Sequence, residues 1–107
     1  MTNENKIFQL IGLACKAGRI VSGEEMCERA IRSGKAVLMI ITEDASDNTK
    51  KKFRNMCKFR EVEMLVMGDK ETLGKFTGKS LRVAAAITDC GFARKIKMLS
   101  EITDTGV

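Results

Sequence analysis

Two short, unbroken apolar runs, "AVLMIIT" at 36–42 and "VAAAIT" at 83–88, constrain this chain more than any other feature. Each is too short for a core helix and carries no alternating polar position for a wet sheet face, so each reads as a strand buried on both sides. A sheet covered on both faces needs helices above and below it, and helical periodicity fills the intervals between the runs. Ile7, Leu10, Ile11 and Ala14 recur at helical spacing and end before Gly18. Ser22 stands three residues before Glu25, the spacing of a capping box, which predicts a second helix over about 23–33, closed by Gly34.

Beyond the first strand, Ser46 can cap a third helix with Phe53, Met56 and Cys57 on one side, and "VEMLV" at 62–66 alternates as a strand does. Asp69 can cap a short fourth helix with Leu73 and Phe76 turned inward, and Phe92, Ile96 and Leu99 mark a last helix. The tail from about residue 103 is expected to fray. Helix and strand alternate with no proline or linker, so the reading is an α/β chain, a three-layer α/β/α sandwich whose sheet is largely parallel.

The 107 residues are one domain's worth, 1–107, and 44% hydrophobic with 31% charged residues is an ordinary globular balance. No apolar run approaches the roughly 18 residues of a membrane span, and the first residues lack a basic head and an apolar core, so the expected address is the cytosol, with no membrane partner. Cys15, Cys27, Cys57 and Cys90 are far apart and the chain has no histidine, which speaks against metal and for four small buried hydrophobes. Nineteen Lys and Arg against fourteen Asp and Glu leave a net +5, a charge that favours a polyanionic partner.

"GKFTGKS", residues 74–80, looks like a phosphate-cradling loop but is not written as one. Three residues, not four, separate Gly74 from Gly78, and the segment ends a helix and leads into a strand, where a nucleotide loop follows a strand and opens a helix. Gly78 therefore reads as a helix end, and no nucleotide substrate or cofactor is expected. Without His, Tyr or Trp, an acid–base or nucleophilic site would rest on Asp, Glu, Lys, Cys or Ser alone, and no cluster of these stands out. Glu43 and Asp44, after a central strand, read as turn chemistry. In "NTKKKFR", Lys50, Lys51 and Lys52 point about 100° apart on a helix, as on a solvated face. By contrast "KAGRIVSGEE", residues 16–25, joins Lys16 and Arg19 to a helix start, where backbone N–H groups and the helix dipole attract phosphate.

Together, "KAGRIVSGEEMCERAIRSGKAVLMIITEDAS", "NTKKK", "TLGKFTGK" and "VAAAITDCGFA" resemble the L-seven-Ae / L-thirty-e superfamily of kink-turn RNA-binding proteins, in its bacterial YlxQ-type, ribosomal-protein-like branch, over roughly residues 8–99. The resemblance implies a four-stranded mixed sheet between helical layers. It also implies an RNA surface made from the start of the second helix and the loop before the last strand. Gly23 matches the family's glycine and Arg29 keeps the charge of its lysine, while Glu25 stands where Asn is expected and Met26 where Glu is expected. An ionised Glu25 accepts but cannot donate, and Met26 does neither well. In the loop, Lys79, Ser80 and Leu81 replace Ile-Glu-Val, so that Leu81 can pack on an extruded base and Lys79 can meet a phosphate. The expected site is thus Lys16, Arg19, Gly23, Glu24, Glu25 and Arg29 with Lys79, Ser80, Leu81 and Arg82. The expected function is non-enzymatic binding of a structured RNA, ribosomal RNA among the candidates; the alternative is a protein-interaction module that keeps the fold and has lost RNA reading.

Overall fold

The computed structural model describes residues 2–102; the tail expected to fray lies outside them. Among the described residues the order is α1 (Asn3–Lys16), β1 (Ile20–Ser22), α2 (Glu24–Arg32), β2 (Leu38–Ile41), α3 (Asp47–Arg60), β3 (Glu63–Val66), α4 (Lys70–Phe76), β4 (Ala84–Ile87) and α5 (Cys90–Glu101). Each apolar run holds a strand buried along its whole length, β2 and β4, and the two lie side by side in the middle of a sheet ordered β1-β4-β2-β3. On one face Ile7, Phe8 and Ile11 of α1, Leu73 of α4 and Ile96 of α5 meet Leu38, Ile40, Ala85 and Ile87. On the other, Cys27, Ala30 and Ile31 of α2 and Phe53 and Cys57 of α3 meet Met39, Ile41, Ala84 and Ala86. The three layers follow from the double-sided burial that the runs require.

The largely parallel sheet is not what forms. β4 runs antiparallel to β1 (Val21 opposite Ala86) and to β2 (Met39 opposite Ala86); only β2 and β3 are parallel. The mixed four-stranded sheet that the family resemblance implied is the one found. The cause lies after β3. Instead of carrying the chain back along the sheet, the seven-residue α4 is followed by a loop that doubles back on it, with the Lys79 N–H donating to the Gly74 carbonyl at 2.7 Å and the Arg82 N–H to the Lys70 carbonyl at 3.0 Å. β4 therefore starts at the end of the sheet where β3 stopped. The "GKFTGKS" segment is this fold-back: α4 ends at Phe76, Thr77 caps it, and Gly78 takes the left-handed turn at φ 74°.

Ser22 does not cap α2. Side-chain oxygens of Thr2, Ser46, Asp69 and Asp89 cap α1, α3, α4 and α5 by accepting the N–H three residues on, but α2 has no such bond. Ser22 belongs to β1, opposite Ala85, and strand pairing continues one residue further, where the Gly23 N–H donates to the Ala84 carbonyl at 2.9 Å. Ladder hydrogen bonds set the helix boundary, so the capping position falls on Gly23 at φ 95°, which only glycine adopts without strain, and the Ser22–Glu25 capping box does not form.

Cys27 and Cys57 are core residues between α2 and α3, while Cys90 is exposed and Cys15 partly so. Burial first, then the neighbouring Cys57, Glu24 and Glu28, pushes the Cys27 thiol up to about 12; burial pushes Cys57 up to about 11. Folded protein then retains protons that unfolded chain releases, so the stabilisation is complete below the unfolded thiol value near 9 and is lost as pH rises from there toward the folded values. Denaturant melts at pH 7.5 and 10.5 are expected to differ by roughly 1.4 kcal/mol per unit above 9 for each thiol. Equal stabilities at the two pH values would show that neither thiol is held neutral by the fold.

Candidate nucleic-acid interface

The fold-back loop and the start of α2 meet because β1 and β4 are neighbours: Gly23 leaves β1 beside the point where Arg82 and Val83 enter β4. Gly23, Glu24, Leu81, Arg82 and Val83 line one shallow depression. The Arg82 side chain runs across Gly23, and a Cβ on that glycine would lie 3.6 Å from the Arg82 Nε and 4.0 Å from its Cδ. Those distances are ordinary van der Waals contact, so it is the backbone conformation at φ 95° alone that calls for glycine here.

The depression is rich in donors. An α-helix leaves its first N–H groups without helical carbonyls, and at α2 no side chain takes them up. Beside them the Arg82 Nε is buried with no hydrogen-bond partner among the described residues, although its Nη1 donates to the Leu81 carbonyl at 2.8 Å. A buried unpaired donor costs roughly 1–3 kcal/mol, and a shift of the side chain that uncovers this N–H would let an acceptor from outside satisfy it. Helix dipole and arginine charge both favour that acceptor being an anion.

Two acidic residues in the first turn of α2 would oppose an anion, and the geometry removes one of them. Lys52 of α3 donates to Glu24 Oε1 at 2.9 Å and to Glu28 Oε2 at 3.0 Å, which turns the Glu24 carboxylate toward α3. The Lys52 hydrogen bond also holds the Glu28 carboxyl below its usual range, and the two carboxylates raise Lys52. Glu25 stays in water, its side chain 80% exposed and 3.8 Å from the Arg29 guanidinium, itself 67% exposed. A pair this open contributes a few tenths of a kcal/mol at most, so both groups remain available to a ligand.

Of the ten residues proposed from sequence, Gly23, Glu24, Leu81 and Arg82 come together in the depression, with Glu25 and Arg29 on the exposed face of α2 and Lys79 and Ser80 exposed on the loop. Lys16 and Arg19 do not join them. The Arg19 carbonyl accepts from the Thr88 N–H at the far end of β4, at 2.9 Å, about 13 Å of extended chain from Gly23. Lys16 lines a separate groove between α1 and α4 with Leu13, Lys75 and Phe76. The Asp44 carboxylate accepts the Lys70 N–H at 3.1 and 3.3 Å and so helps to cap α4 from the loop between β2 and α3. Sequence reasoning could not find the feature that marks the site, the missing cap, because Ser22 carries the sign of a cap.

The chain as a whole is similar to several known proteins. The sequence profile of the ribosomal protein L7Ae/L30e/S12e/Gadd45 family matches residues 5–97. The chain is 43% identical over 89 residues to a Bacillus subtilis (strain 168) protein named RNA-binding protein YlxQ, covering 83% of this chain and 89% of that one. It is 38% identical over 99 residues to a protein of the same name from Enterococcus faecium, covering 92% and 95%. A solved Bacillus halodurans structure, of a protein with unknown function, superposes with a TM-score of 0.87 at 35% identity over 91% of this chain and 98% of that one. The Giardia lamblia 15.5kD RNA binding protein shares the fold, with a TM-score of 0.79 at 20% identity over 98% and 90%.

Proposed function

The chain belongs to the ribosomal protein L7Ae/L30e/S12e/Gadd45 family, and on that premise we propose that it is a non-enzymatic, ribosomal-protein-like RNA-binding protein that holds a sharply bent RNA at the start of α2. The observation that carries this reading is the pairing of an uncapped helix start with the unsatisfied Arg82 Nε. A backbone phosphate seated there accepts from the first N–H groups of α2 and from the guanidinium. Such contacts fix position and orientation without reading sequence.

Recognition is then by shape. Leu81, exposed at the rim, packs on a base that a bend has thrown out of the stack, and Lys79 meets the adjoining backbone. Glu25, freely exposed on the first turn, accepts from a guanine edge N–H of the kind that a sheared G·A pair leaves open. Met26, also exposed, offers apolar contact where the family pattern has a carboxylate. Arg29 stands one turn further along the same helix and Lys16 and Arg19 beyond the far end of β1, so these three serve more distant stretches of the backbone.

A salt series tests the reading. An RNA with a kink-turn bend is expected to bind at least tenfold more tightly than a straight duplex of equal length, with log affinity falling against log salt at a slope of about −2 or steeper as phosphate counterions are released. A flat salt dependence would exclude the phosphate contacts. Absence of binding to any structured RNA, with a protein partner that survives ribonuclease, would establish the interaction-module alternative.

A further inference from the structure

The chain's excess positive charge does not sit at the site just described. α3 holds six of the basic residues, Lys50, Lys51, Lys52, Arg54, Lys58 and Arg60, against one acid, Asp47, a net +5 equal to that of the whole chain. The other 93 residues carry thirteen charges of each sign and are neutral together.

Internal partners divide the helix. Phe53 and Cys57 fill the core, Lys50 Nζ donates to the Glu43 carbonyl at 2.6 Å, and Lys52 is taken by Glu24 and Glu28. Lys51, Arg54 and Lys58 are exposed and have no ion pair among the described residues. At i, i+3 and i+7 they fall within about 60° of one another and span about 10 Å of helix. Asn48 and Asn55 lie beside them on the exposed side. Like charges at this spacing repel, so the row is a local cost to the fold that an external polyanion relieves.

We infer that the outer face of α3 is a second RNA surface, on which Lys51, Arg54 and Lys58 hold the phosphate backbone of a double-helical arm flanking the bend. This rests on reading the chain as RNA-binding. The Lys52–Glu24 bridge ties α3 to the first turn of α2, and the row, turned roughly 100–160° around α3 from Lys52, faces away from α2, where an arm leaving the bend can pass over it. A membrane is a poor fit, because the apolar side of α3 is spent on the core and Phe59 alone remains exposed to insert.

The test uses the full chain and two probes, a straight RNA duplex of about two turns and a kink-turn RNA with one long arm. Lys51→Gln, Arg54→Gln and Lys58→Gln together are expected to weaken duplex binding at least tenfold and to make the salt slope shallower by about 2–3. Arg82→Met should weaken the bent RNA by a larger factor than the duplex, the reverse of the α3 variant. Lys6→Gln, Lys35→Gln and Lys95→Gln, which remove equal charge from elsewhere, should change duplex binding less than threefold, and matching thermal melts exclude misfolding. The inference is overturned if the α3 variant binds the duplex as the unaltered chain does, if the control trio loses as much, or if the unaltered chain ignores the duplex at low salt. Loss of binding to the bent RNA as well, by the unaltered chain, would overturn the functional reading itself.

Discussion

Gly74→Ala is expected to cost about 3 kcal/mol of folding stability and to loosen the Lys79–Arg82 loop with it. In an ordinary helix the same change is worth up to about 1 kcal/mol in the other direction, because alanine loses less conformational entropy than glycine. Here a Cβ would stand 2.7 Å from the Ser80 carbonyl carbon and 2.9 Å from the Leu81 nitrogen, with the Ser80 oxygen closer still. Those are backbone atoms, fixed by the Lys79 N–H to Gly74 and Arg82 N–H to Lys70 hydrogen bonds, so no rotamer change relieves the overlap. Overlap outweighs propensity. Chemical denaturation of the variant should show the loss, and amide exchange should show it concentrated at residues 79–82. A variant as stable as the unaltered chain would mean that the fold-back is not closely packed.

That glycine also explains what the sequence did and did not disclose. Buried strands were legible wherever burial was two-sided, as at β2 and β4, because an unbroken apolar run leaves few alternatives. Helix starts at Ser46 and Asp69 were legible because a side-chain oxygen three residues ahead of a free N–H is a local device. Ser22 had the same local form and failed, since the pairing of Ser22 with Ala85 is set by a strand more than sixty residues away. β1 itself is three residues long and half-buried, too short for any period to show. The direction of β4 was hidden for a related reason. A short helix followed by glycine reads the same whether the chain then crosses the sheet or folds back, and the Gly74–Ser80 contact decides it.

The candidate site shows the same limit. Gly23 and the 79–82 loop were found through motif resemblance, but their meeting depends on β1 and β4 being neighbours. Lys16 and Arg19 looked close to Gly23 in sequence and are separated by the length of β1. The concentration of charge on α3 could be counted in the sequence, yet only the partners of Lys50 and Lys52 reveal which cations are left over.

Arg82→Met carries the second large expectation, and its two effects have opposite signs. The substitution keeps an apolar stem across Gly23 and removes the guanidinium, including the buried Nε that has no internal partner. Relief of that unsatisfied donor should leave the folding midpoint unchanged or raise it slightly. Removal of a charged donor to an RNA phosphate should at the same time cost about 1.4–2.8 kcal/mol of binding, ten- to a hundredfold in affinity. A residue kept only for packing would lose stability and spare binding, and a bystander would change neither. The decisive measurement is the dissociation constant of a kink-turn RNA for the unaltered chain and for Arg82→Met at one fixed salt concentration, beside the thermal melts of both. Affinity at least tenfold weaker with an equal or higher melting temperature is the result this site predicts, and equal affinity for the two proteins would contradict it.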